Sequence, residues 1–206
     1  MKGVDLLFQL FALLLGFSVA ELLAGLARSW RIRSGATLTT TATIRIGWLV
    51  PMLAMLVLVD QTHFWLTAFE LKNFFSFDYA TLLGILLIVG GYYMISTFVF
   101  PDDPEHWPDF DDYYLKTNRT VLAGMIAINF ITFSYAIYVA VGFGLKLETA
   151  PMMRSWFSFV PALLFFPCLV SLWFVKSRRG NFQLLLFMNL LLLVGAVGPK
   201  VGQAFP

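Results

Sequence analysis

Charged residues fill only 13% of the 206 positions, about half the share of an ordinary soluble domain. That shortage excludes a soluble globular fold, because 59% hydrophobic residues and a mean hydropathy of +0.80 leave more apolar surface than a water-facing exterior accommodates. The formal charge of +2 is too small to suggest a nucleic-acid partner, and no basic tract interleaved with aromatics offers a binding stripe. Cysteine is nearly absent. Cys168 stands alone inside an apolar stretch, cannot pair within the chain and reads as a small buried hydrophobe.

Histidine is equally sparse, and of His63 and His106 only the first lies in an apolar stretch. A haem held between two intramembrane histidines of one chain is therefore excluded. The lysines all fall near the ends of apolar stretches, which removes a mid-membrane Schiff base. Gly-x-Ser-x-Gly, His-Glu-x-x-His and a phosphate loop are missing as well, so hydrolytic and nucleotide-driven enzymes lack their signatures. The reading is of a chain that is not an enzyme, without cofactor and without a bound metal.

What the sequence holds in abundance is long apolar runs: Val4 to Ala27, Gly47 to Phe69, Tyr79 to Phe100, Val121 to Leu145, Trp156 to Val175 and Phe182 to Val201. Each is near the ~20 residues a helix needs to cross ~30 Å of hydrocarbon. The expected fold is all-α, a polytopic integral membrane bundle of six transmembrane helices forming one domain over residues 1–206, with short connections and no soluble domain. The first run imitates a signal peptide around Ser18-Val19-Ala20. Asp5 spoils its basic start and the apolar character continues past Leu22, so it counts as the first span.

Basic residues in connections mark the cytoplasmic side. With the N-terminus outside, the inner connections carry Arg28, Arg31, Arg33, Arg45, Lys116, Arg119, Lys176, Arg178 and Arg179, against Lys2, Lys72, Lys146, Arg154 and Lys200 outside. Both termini are thus expected outside, in a bacterial inner (plasma) membrane. A six-helix chain of this topology sets its three-helix halves in opposite orientations, the layout of inverted-repeat transporters. The halves share only scattered matches, such as Trp48, Pro51 and Trp65 against Trp156, Pro161 and Trp173.

The most distinctive connection runs from Pro101 to Tyr114 and holds Asp102, Asp103, Glu105, His106, Asp109, Asp111 and Asp112. Its punctuation reads as helix starts: Asp103 caps a short turn with Pro104 at the first position, and Asp109 caps the fourth helix. Tyr113 and Tyr114 are expected at headgroup level. The acids are either a solvated surface paired with arginines of the other inner connections, or a weak cation site, or a docking surface for a partner. The spacing lacks the glycine and terminal glutamate of a calcium loop.

Ionisable residues inside apolar runs are costly and carry the strongest functional signal. Glu21 lies in the inner half of helix one and is expected to pair with Arg28 or Arg45, or else to line a pathway. Asp60 and His63, three apart on helix two, share a face as a proton relay or cation gate would; the alternative puts His63 in the outer interfacial belt. Asn129, Thr132 and Tyr135 on helix four supply hydrogen-bonding groups at similar depth. Gly16, Ala20 and Ala24 form a small-residue stripe that suits close helix packing, within the chain or in a homo-oligomer.

Two functional readings stand. One is a small oligomeric channel or carrier for ions or small solutes, with Glu21, Asp60 and His63 as pathway groups. The other is a non-catalytic subunit or sensor that packs in the bilayer against a larger membrane complex and docks partners through its cytoplasmic loops.

Overall fold

The computed structural model describes residues 3–35, 44–142 and 156–204. Over that range the chain forms helices α1 (Gly3–Arg33), α2 (Leu49–Glu70), α3 (Tyr79–Thr97), α4 (Phe110–Gly142), α5 (Trp156–Phe174) and α6 (Arg178–Ala204), with short 3-10 turns at Lys72–Phe74 and Pro104–His106. Among the described residues there is no strand, only an isolated bridge between Arg45 and Asp109. Five helices, all but α5, are long and apolar enough to cross a membrane; α5 contributes a shorter apolar segment, Leu163–Phe174.

Local chemistry fixes where several helices begin. The Asp78 carboxylate accepts from the Thr81 N–H at 2.8 Å and from the Ser76 hydroxyl, which satisfies one of the free donors at the start of α3. Asp103 accepts from the Glu105 N–H at 3.1 Å, with Pro104 next in the chain, as its sequence suggests. Asp109 accepts from the Asp111 N–H at 2.8 Å and so caps α4. This helix starts at Phe110, well before the apolar run that begins at Val121, because its first turns are held by protein rather than by lipid.

Tyr113 and Tyr114 show how. Expected as headgroup anchors, both are instead buried in the chain: the Tyr113 hydroxyl donates to the carbonyls of Phe98 and Phe100 at 3.0 and 3.1 Å, and the Tyr114 hydroxyl donates to Asn181 Oδ1 at 2.8 Å. They pin α4 to the end of α3 and to the start of α6.

α2 has no side-chain cap of its own. The Asp111 carboxylate, arriving from α4, accepts from the Leu49 N–H at 3.2 Å and places negative charge at the positive end of the α2 dipole. A side chain at Gly47 would overlap that carboxylate, so the close approach requires glycine there.

The same corner joins the three connections expected on one side. The Arg178 guanidinium donates to Asp109 Oδ2 at 3.0 Å and to Asp112 Oδ1 at 2.5 Å, while Arg45 lies 3.9 Å from Asp109. The acidic segment is thus engaged by arginines from both neighbouring connections. Partial burial raises the Asp109 carboxyl, but the Asp111 N–H and the Arg178 and Arg45 charges outweigh it and hold the group below the ordinary aspartate value. A depressed folded-state value means stability that is complete above the unfolded pKa and is lost as pH falls through the folded one. Asp109→Ala should lower stability by about 1–2 kcal/mol at neutral pH, read as a lower detergent melting temperature. The difference from wild type should shrink once the pH drops below about 4.

Helix packing places the remaining pieces. α1 and α3 run parallel, with Gly3 beside Phe77, Ser18 against Tyr92 and Ser96, and Gly25 beneath the Phe100 ring. α2 is the most enclosed span and touches α1, α3, α4 and α6, while α5 packs on α4 and α6. Asn189 of α6 donates to the Met52 carbonyl of α2 at 3.1 Å.

Candidate site at mid-membrane

Asp60 lies eleven residues beyond the start of α2, about 16 Å along the axis at 1.5 Å per residue and so near the middle of a ~30 Å hydrocarbon layer. Its residue is only 4% exposed. The Tyr92 hydroxyl of α3 donates to Asp60 Oδ2 at 3.1 Å, and the Asn129 amide of α4 donates to Oδ1 and Oδ2 at 3.3 and 3.1 Å. Among the described residues no lysine or arginine forms an ion pair with it. The carboxyl is held by neutral donors alone.

A second polar group continues from it. Gln61 Nε2 donates to the hydroxyl oxygens of Ser18 at 2.6 Å and Ser96 at 3.3 Å; these hydroxyls lie 2.5 Å apart and both approach the Tyr92 carbonyl. Ser18, Gln61, Tyr92 and Ser96 are completely buried. Gln61 Oε1 is buried with no partner among the described residues. Turning the amide over would only exchange an orphaned acceptor for an orphaned NH2, so one end of Gln61 is left free in either assignment. Side chains from α1, α2, α3 and α4 thus meet in one polar cluster.

Apolar side chains flank this cluster on both sides. Toward the end that carries the Lys72–Phe74 turn, Phe64 packs on Tyr92 and on Phe11, Phe8 packs on Phe11 and Phe75, and Phe75 stacks on Tyr135. Toward the opposite end lie buried Leu22, Leu53, Val57, Leu122 and Met125.

The expected site residues are distributed as follows. Asp60 and Asn129 come together. His63 is partly buried, and among the described residues no direct hydrogen bond joins its ring to Asp60. Thr132 turns its hydroxyl back to the Ile128 carbonyl at 2.9 Å, and Tyr135 stacks at 5.3 Å on Phe75; neither reaches Asp60. Glu21 is partly buried and, among the described residues, has no ion pair, so the expected bond to Arg28 or Arg45 is absent; Arg45 is turned toward Asp109.

Gly16, Ala20 and Ala24 are exposed, and among the described residues a side chain at Gly16 would meet nothing within 4 Å. In the acidic segment Asp103 bonds His106 at 2.7 Å, while Asp102 and Glu105 are exposed. Among the described residues no group of three acidic, histidine or cysteine side chains converges on a metal position. Sequence reasoning missed Gln61, Tyr92 and Ser96, and took Ser18 as part of the signal-like Ser18-Val19-Ala20 stretch. The available signal was polarity inside an apolar run: each is a polar side chain within one of the runs, although Ser96 stands only four residues from the end of its own.

An all-helical chain with five helices able to span, a polar centre and apolar outward faces is an integral membrane protein of the polytopic helical class. No protein-family model, characterised protein or solved structure matches it.

Proposed function

We propose that the protein is a small carrier for ions or small solutes, spanning the membrane six times with both termini outside, in which Asp60 is the group that takes up and releases a cation or proton. The observation that carries this reading is a mid-membrane carboxyl held only by neutral donors. An aspartate at the centre of a spanning helix costs about 2.5–3.5 kcal/mol on insertion. An interhelical side-chain bond in a membrane returns about 0.6 kcal/mol on average. Three such bonds return about 2 kcal/mol, and an asparagine would make comparable ones at lower cost. Helix association therefore explains the Ser18-Gln61-Ser96 part of the cluster and leaves the carboxylate unexplained.

Burial of Asp60 between apolar side chains favours a carrier in an occluded state over an open pore, whose lining groups would be wet. Purified protein reconstituted in liposomes should pass protons or monovalent cations above the level of empty vesicles, with a rate that changes between roughly pH 5 and 8. If His63→Ala flattens that dependence, the imidazole is the titrating group; if the dependence persists, it belongs to the Asp60 cluster. No flux above empty vesicles would remove the carrier reading.

The subunit or sensor reading draws on a different observation, the outward-facing Gly16, Ala20 and Ala24. A small-residue face turned to lipid suits close approach of a helix from another chain.

A further inference from the structure

Between the first turns of α4 and the link from α5 to α6 lies a cleft of about 320 Å3, into which Lys116, Arg119 and Lys176 all project. Among the described residues no acidic side chain lines it. Among the described residues none of these three cations forms an ion pair; Lys116 has a contact with the Trp107 ring, 5.2 Å from its centroid. Nearby acids are already engaged, Asp109 and Asp112 by Arg178 and Asp111 by the Leu49 N–H. Three like charges gathered in one concavity repel one another, and an anion seated among them relieves that repulsion.

The other walls set the kind of anion. Leu115 and Trp173 present partly buried apolar surface, and Asn118, which also lines the cleft, is buried. Lys116 and Arg119 stand six and nine residues into α4, about 9 and 14 Å along a helix that is entering the membrane. Cations with an indole and aliphatic carbon beside them match a phosphate that carries acyl chains better than a free ion in water. We propose that this cleft binds the phosphate of an anionic lipid headgroup in the leaflet at that end of the bundle. The proposal does not depend on the carrier reading.

Native mass spectrometry of the intact protein from non-ionic detergent, titrated with phosphatidylglycerol or with phosphatidylcholine of the same chain length, tests it. Phosphatidylglycerol should be retained at least about tenfold more tightly. Each cation near a charged headgroup is worth about fivefold in affinity, the equivalent of about 1 kcal/mol, so a Lys116→Gln, Arg119→Gln, Lys176→Gln variant should lose about a hundredfold. A control lacking the exposed Arg28, Arg31 and Arg179 should bind as wild type does. If the triple variant does not elute as folded protein, Arg119→Gln and Lys176→Gln taken singly should each lose about fivefold. Equal retention of the two lipids, or unchanged binding by these variants, overturns the proposal. Displacement of phosphatidylglycerol by millimolar inorganic phosphate, with phosphate alone saturating the change in tryptophan fluorescence, reassigns the cleft to a soluble anion and overturns the lipid as its occupant.

Discussion

Asp60→Asn should reduce cation or proton flux in proteoliposomes to the level of empty vesicles, while the purified protein keeps its helical content and melts close to wild type. The substitution keeps shape and removes the only group in the cluster that can exchange a proton or balance a cation's charge. The Tyr92 hydroxyl can still donate to the new amide oxygen in place of Asp60 Oδ2. The new NH2 would face the Asn129 amide, which now donates to both carboxylate oxygens and to the Met125 carbonyl. Asn129 must turn over to accept, and losing its bond to Met125 costs about 0.5–1.5 kcal/mol. Asp60→Leu is the contrasting variant. It strands the buried Tyr92 hydroxyl at about 1–3 kcal/mol and leaves the part-buried Asn129 amide with its Met125 bond alone, so it should lose flux and stability together. Flux that survives Asp60→Asn would make the cluster a packing device and leave the subunit or sensor reading.

The spans were legible because apolar length and cap chemistry are local properties, carried by residues next to one another in the chain. Asp78, Asp103 and Asp109 each cap within three residues of themselves. Rotation of one helix against another is not local. Asp60 and His63 share a face by spacing, yet positions three apart differ by about 60° around a helix. That angle is enough for Asp60 to meet Tyr92 and Asn129 while His63 does not join them. Tyr92 was hidden because a tyrosine in an apolar run looks like any other aromatic until a carboxyl is found beside its hydroxyl. Tyr113 and Tyr114 misled for the converse reason: amphipathic rings near a helix start suit a headgroup layer, but three connections converge at that corner and bury them. The Gly16, Ala20 and Ala24 stripe showed spacing without direction. The buried residues of α1, among them Leu15, Ser18, Leu22 and Gly25, lie on its other side.

Gly25 is where the packing of α1 on α3 tolerates least change. A Cβ built there overlaps the Phe100 ring, including its Cγ, so the ring as a whole must move rather than swing its far edge. Phe100 is itself 93% enclosed, and Tyr113 holds its carbonyl at 3.1 Å. Gly25→Ala should therefore cost about 1–3 kcal/mol, the usual range for overpacking, and Gly25→Val more, despite the higher helix propensity of alanine. Gly16→Ala, with open space around it, should be neutral or stabilise by up to about 1 kcal/mol. Melting temperatures in one detergent compare the three directly. Phe100→Leu in the Gly25→Val background should recover part of the loss, because the two residues contend for one volume and their effects cannot add. The disturbance should also reach the polar centre, since Ser18 sits two turns away on the same buried face and contacts Ser96 at 2.5 Å. Parting α1 from α3 would open that contact, so Gly25→Val should lower flux even below its melting temperature. A Gly25→Val protein that melts and transports as wild type does would show that α1 and α3 do not meet as closely as this fold requires.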